Sequence, residues 1–174
     1  MKKILMMLLY LSMMSNSLLA FEKVEYLADS IIKKNGNYIK LMGGTSWELT
    51  SMSLSLVTDD VIIIFHQYVD KKGKESILPV FYHDGEEIAL RFISGSLLPE
   101  TGYLTTIIQQ LGEGAVLKTN DGTILSIPQY DRYDTGWWLP PYKALVTGNQ
   151  MYLWNLKKGK KVWVDNIKRL INEK

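Results

Sequence analysis

Ile31-Ile32-Lys33-Lys34-Asn35-Gly36-Asn37-Tyr38-Ile39-Lys40-Leu41-Met42-Gly43-Gly44-Thr45-Ser46-Trp47-Glu48-Leu49 reads as a β-meander. Asn35-Gly36 between two short β-prone runs is a hairpin signal, because Asn-Gly supplies the two positive φ angles of a type I′ turn. Met42-Gly43-Gly44 turns the chain again into Thr45 to Leu49, where Trp47 and Leu49 alternate with polar neighbours. Downstream, Val61 to Phe65 is a β-branched and aromatic run, too short for a helix and suited to a strand buried on both faces. Ile77 to Tyr82, the turn Asp84-Gly85, and Ile88 to Phe92 add a further hairpin.

The same order recurs. Tyr26 to Lys34 matches Tyr103 to Gln110, one residue shorter, and Gly36 to Leu41 matches Gly114 to Thr119. Gly44-Thr45 and Leu49 match Gly122-Thr123 and Ile127, and Leu78 to Gly85 lies against Tyr152 to Gly159. Self-similarity at this period points to duplication of one supersecondary unit. The chain is therefore expected to be all-β with minor α. It holds two tandem meander or barrel units of SH3-like or OB-like kind, at 21–96 and 103–174, joined by a linker at 97–102. Units this small bury too little apolar surface to be robust alone, so the two are expected to pack together. Helix is expected only as a turn or two in Glu22 to Ser30 and as a terminal helix over Asn166 to Lys174.

The start of the chain has a different character. Met1-Lys2-Lys3 followed by the apolar run Ile4 to Leu11 and the small residues Ser12 to Ala20 has the layout of a signal peptide, residues 1–20. The product is expected to be exported, periplasmic or secreted, after cleavage near Ala20, with no transmembrane segment in the mature chain. Cleavage removes Lys2 and Lys3, so the net charge of +2 falls to zero, no global field is expected to draw the chain onto nucleic acid or anionic lipid, and nucleic acid is not an expected partner. With no Cys and only two His, His66 and His83, disulfides, thiol nucleophiles and Cys-ligated metals are excluded. No cofactor and no metal site is expected. Phosphate-binding glycine loops and the Gly-x-Ser-x-Gly motif are absent, so no catalytic residue is assigned.

The candidate site is aromatic. Tyr130, Tyr133, Trp137, Trp138 and Tyr142 crowd one loop stiffened by Pro128, Pro140 and Pro141. Such rings either plug a barrel mouth or form a ligand platform. Read as an extended stretch, the loop puts Trp137 outside and Trp138 in the core. Two basic hairpin tips, Lys71, Lys72, Lys74 and Lys157, Lys158, Lys160, Lys161, are either solvated turns or contacts for anionic envelope groups.

The second unit resembles a poorly characterised family of small exported β-proteins of Gram-negative intracellular bacteria. The matching residues are Asp121-Gly122-Thr123, Trp137 or Trp138, and Asn155 through Gly159 to Val162. Ile124 and Leu125 stand where that family has a Trp, and Pro140-Pro141 where it has Gly-Asp. The resemblance implies export and a small β-fold. The expected function is a non-catalytic exported protein that binds a protein or an envelope glycan through the aromatic loop. The alternative is an envelope hydrolase or hydrolase inhibitor with Asp131 or Asp134 as its acid.

Overall fold

The computed structural model describes residues 22–51, 60–69, 71, 73–83, 85–148 and 151–168. The expected signal peptide, Lys72, Asp84 and residues 169–174 lie outside the described residues.

The protein is all-β with one short helical segment. Strands β1 (Glu22–Asn35), β2 (Tyr38–Leu41), β3 (Ser46–Leu49), β4 (Asp60–Val69), β5 (Glu75–His83) and β6 (Glu86–Ser94) form the first half. They pair antiparallel in the order β1-β2-β3-β6-β5-β4, and β4 returns to β1, so the barrel closes and has no edge to protect. The second half holds β7 (Glu100–Leu111), β8 (Val116–Thr119), β9 (Ile124–Ser126), β10 (Tyr142–Thr147), β11 (Tyr152–Asn155), β12 (Lys160–Trp163) and β13 (Asn166–Lys168). Its order is β7-β8-β9-β13, then β12-β11-β10 back to β7. Between β12 and β13 the chain changes partner: the Val164 N–H donates to the Met151 carbonyl at 2.7 Å and the Asp165 N–H to the Ser126 carbonyl at 2.9 Å.

Each half opens on one long strand that serves two neighbours. β1 pairs with β4 through Glu25–Ser30 and with β2 through Ile31–Asn35, and a register shift at Ile31/Lys33 interrupts the β2 pairing. β7 behaves likewise toward β10 and β8, with the shift at Ile107/Gln109. The first residues of the two long strands also pair with each other, Glu22–Tyr26 against Glu100–Leu104, so the hydrogen-bonded sheet runs from one half into the other.

Three apolar clusters result. One fills the first barrel with Ile39, Leu41, Trp47, Val61, Ile63 and Phe81. A second fills the other half with Ile107, Leu117, Leu125, Trp138, Ala144 and Val146. The third lies on the seam: Tyr26, Ile62, Ile64 and Tyr82 meet Leu145, Trp154 and Leu156. The unbroken apolar run of β4 now has its cause. Val61 and Ile63 point into the barrel while Ile62 and Ile64 face the seam, so both faces are covered.

Several local expectations are corrected. Glu22 to Ser30 is strand, because alternation buries Val24 and Tyr26 on one face while β4 and β7 supply backbone partners. β7 begins at Glu100, so the second half of the expected linker is strand. Asn166–Lys168 is β13, paired with β9, and not the start of a helix: the β9 edge would otherwise be open there. At the first hairpin Asn35 pairs with Tyr38, leaving Gly36-Asn37 as the loop. Gly36 alone takes a positive φ, +59°, as a type II′ connection requires at its first position.

Three tyrosines, Tyr26, Tyr82 and Tyr142, have hydroxyls held well above their ordinary value of 10.0, chiefly by burial. For Tyr26 the hydrogen bond to Glu100, 2.6 Å, and the charge of that carboxylate add to it; for Tyr82 the charges of Glu87 and Glu22 do. A raised phenol favours the protonated folded state, so its contribution is complete below pH 10.0 and is lost as pH rises beyond that value. Chemical denaturation at increasing alkaline pH is expected to show stability declining from about pH 10 upward. The Tyr142 hydroxyl is buried without a hydrogen-bond partner among the described residues. Tyr142→Phe is therefore expected to keep or slightly raise stability, by up to about 1 kcal/mol, and to soften the alkaline decline. A loss of several kcal/mol in that variant would mean the hydroxyl is bonded.

Candidate functional site

The aromatic loop is helical. After Pro128 a 3-10 turn, Gln129–Asp131, leads into α1, Arg132–Gly136. Asp131 and Asp134 sit in the first turns of these two short elements, where acidic side chains suit the positive end of a helix. Trp137 caps α1, with its N–H donating to the Asp134 carbonyl at 3.2 Å.

The inner side of this segment is bonded to the barrel at several points. Buried Thr135 donates its hydroxyl to the Gly114 carbonyl at 2.9 Å, and Gln110 Nε2 donates to the Gly136 carbonyl at 3.1 Å. Arg132 Nε donates to the Ile127 carbonyl at 3.0 Å, and the Trp163 N–H donates to Asp131 Oδ2 at 2.6 Å. Lys160 reaches Asp134 at 3.3 Å. Gly114, at φ +88°, is the point of closest approach: a Cβ there would lie 2.4 Å from Thr135 Oγ1 and 2.5 Å from the Gly136 nitrogen. Any side chain at 114 displaces the segment.

The outer side is aromatic. Tyr130, Tyr133 and Trp137, at spacings of three and four, share one helical face, and their exposures are 72%, 79% and 73%. Leu139, just beyond, is 81% exposed. Trp138 is 3% exposed and inserts into the second core, packed edge-on against Tyr142 at 5.8 Å between ring centroids. The five candidate rings therefore divide. Trp138 and Tyr142 are core, and Tyr130, Tyr133 and Trp137 are exposed on the short helical segment. The expected outcome for the two tryptophans holds, but the cause is a helix end and not an extended strand.

The basic tips differ. Lys71 and Lys74 lie exposed at the β4–β5 hairpin. On the β11–β12 turn, buried Asn155 accepts the N–H groups of Lys157 and Lys158 at 3.0 and 3.1 Å. From that turn Lys161 pairs with Asp60 at 3.4 Å and lies over the rings of Trp154 and Tyr152, 5.3 and 5.8 Å from their centroids. Lys157 and Lys158 are exposed and form no ion pair with a described residue.

The two candidate acids are engaged in structural contacts, Asp131 with the Trp163 N–H and Asp134 with Lys160. His66 Nε2 shares a hydrogen bond of 2.9 Å with the Tyr82 hydroxyl. Among the described residues no group of three His, Cys, Asp or Glu is placed to hold a metal ion. No described helix is long and apolar enough to cross a membrane. A polar cleft of about 280 Å³ opens at the seam, lined by Asp29, Asp60, Glu100, Tyr152, Trp154 and Lys161. Its carboxylates are occupied: Asp29 accepts the Ser30 and Gly43 N–H groups, Asp60 the Ser30 hydroxyl, and Glu100 the Tyr26 hydroxyl.

Leu139 and the helical face were both missed in the sequence. Pro128 followed by Asp131 and Asp134 is a helix-start signal, and the spacing of Tyr130, Tyr133 and Trp137 is that of one helix face. The chain matches no protein-family model, no curated protein and no solved structure.

Proposed function

We propose that the chain is an exported, non-catalytic binding protein that engages a protein or an envelope glycan through Tyr130, Tyr133 and Trp137. One observation carries this reading: three aromatic rings, each more than seven-tenths exposed, stand on a segment whose other side is fixed to the barrel by hydrogen bonds. A pre-ordered aromatic surface loses little conformational freedom on binding. Tyr and Trp are also the side chains that most often anchor interfaces. The engagement of Asp131 and Asp134 in structural contacts weighs against the hydrolase reading.

Export rests on the cationic, apolar and small-residue order of residues 1–20. Descent of the two halves from one duplicated unit is supported by bond-for-bond agreement in their turns. The Leu41 N–H donates to the Thr45 carbonyl, the Gly44 N–H to Leu41 and the Leu49 N–H to Asn37, while Thr119, Gly122 and Ile127 donate to Thr123, Thr119 and Ala115.

The test is affinity capture from the envelope fraction of the producing cells with the wild-type chain and the Trp137→Ala variant. A protein or glycan retained by the former and lost by the latter supports the reading. Equal capture by both removes the platform. Release of sugars from cell-wall material, abolished in Asp131→Ala or Asp134→Ala, would establish the hydrolase instead.

A further inference from the structure

A net charge of zero after export conceals a division. Residues 21–126 hold nine basic and fourteen acidic side chains, whereas residues 127–174 hold nine basic and four acidic. The platform belongs to the basic part. The turn bearing Lys157 and Lys158 leads directly into β12, whose first residue, Lys160, reaches Asp134 on α1.

We infer that this end of the molecule docks peripherally on the anionic face of a phospholipid bilayer. The inference rests on the platform reading and goes beyond it, because the bilayer and the envelope partner would share the same aromatic surface. Three features suit this surface to lipid as well. Tyr and Trp combine a large apolar ring with one polar atom, the chemistry that collects at the headgroup layer. Leu139 offers a sugar no flat face, yet as the most exposed of the four it gains from contact with acyl chains. Lys157 and Lys158, exposed and without an ion pair among the described residues, lie on the turn just before Lys160, whose ammonium reaches Asp134 on α1, and lysines close to an anionic leaflet are attracted to it individually. Docking of this kind is shallow and reversible.

The experiment is cosedimentation of the full chain with vesicles of phosphatidylglycerol mixed with phosphatidylcholine, and with phosphatidylcholine alone, at low and at physiological salt. Trp137 provides an internal probe. Trp47, Trp138 and Trp154 are buried and Trp163 is half-buried, so a blue shift of emission on vesicle binding reports chiefly on Trp137. Wild type is expected to bind the anionic vesicles, to shift its emission, and to bind the neutral vesicles far more weakly. The double variant Lys157→Ala with Lys158→Ala is expected to lose about 30-fold in affinity at low salt and less as salt rises. The double variant Trp137→Ala with Leu139→Ala is expected to lose at least about tenfold at both salts.

All four positions are exposed, so the variants keep the fold. Residues 1–21 are common to every chain compared, so a difference between variants reports on the substituted positions. Absence of cosedimentation, or binding unchanged in both double variants, overturns the inference. If capture of an envelope partner still depends on Trp137 in that case, the platform reading stands without the membrane. If it does not, both fall.

Discussion

Trp138→Ala is expected to lower the unfolding free energy by about 3–5 kcal/mol, while Trp137→Ala, one residue away, changes it by less than about 0.5 kcal/mol. The difference follows from location alone. Trp138 lies in the core of the second half among Ile107, Leu117, Leu125 and Tyr142, and its loss leaves a cavity that the surrounding strands are too constrained to fill. Trp137 ends α1 with its ring in solvent, so its removal takes away almost no packed surface. Urea or thermal unfolding of the two variants measures this directly. Equal losses would mean that both rings are core and that the surface has no platform.

The second large effect is expected at the seam. Trp154 is packed with Tyr26, Ile62 and Ile64 from one half and with Leu145 and Leu156 from its own. Trp154→Ala is expected to cost about 3–5 kcal/mol, and because the seam is shared, that loss is expected to lower the stability of both halves together. Unfolding followed by far-UV circular dichroism and by fluorescence should give one coincident transition in wild type and variant. Two transitions, only one of them shifted by the substitution, would show that the halves are independent domains joined by β1 and β7 alone.

The β-architecture was legible because its signals are local. Gly43-Gly44-Thr45 and Asp121-Gly122-Thr123 each announce a turn, and the alternation of Trp47 and Leu49 announces a strand facing a core. The both-face burial of Val61 to Ile64 could also be read from composition, but not the identity of the second surface. That surface is made by Leu145, Trp154 and Leu156, some eighty residues away, and no local pattern encodes such a contact. Strand β1 was misread in its first half for the same reason. Its alternation is weak until β4 and β7 are in place to satisfy its backbone. β13 is three exposed residues whose only reason to be strand is the edge of β9. In the candidate site, the aromatic types were visible but their division was not. It depends on the helix that Thr135, Gln110 and Gly114 hold in place.

In the proposed function, Trp137, exposed at the end of α1, touches the partner. Its fluorescence in a variant whose other four tryptophans are replaced by phenylalanine would show this, once that variant is confirmed to fold by circular dichroism. On titration with the component captured from the envelope, the emission should shift or quench in step with binding. Binding measured independently that leaves the Trp137 emission unchanged would show that the partner sits elsewhere on the molecule.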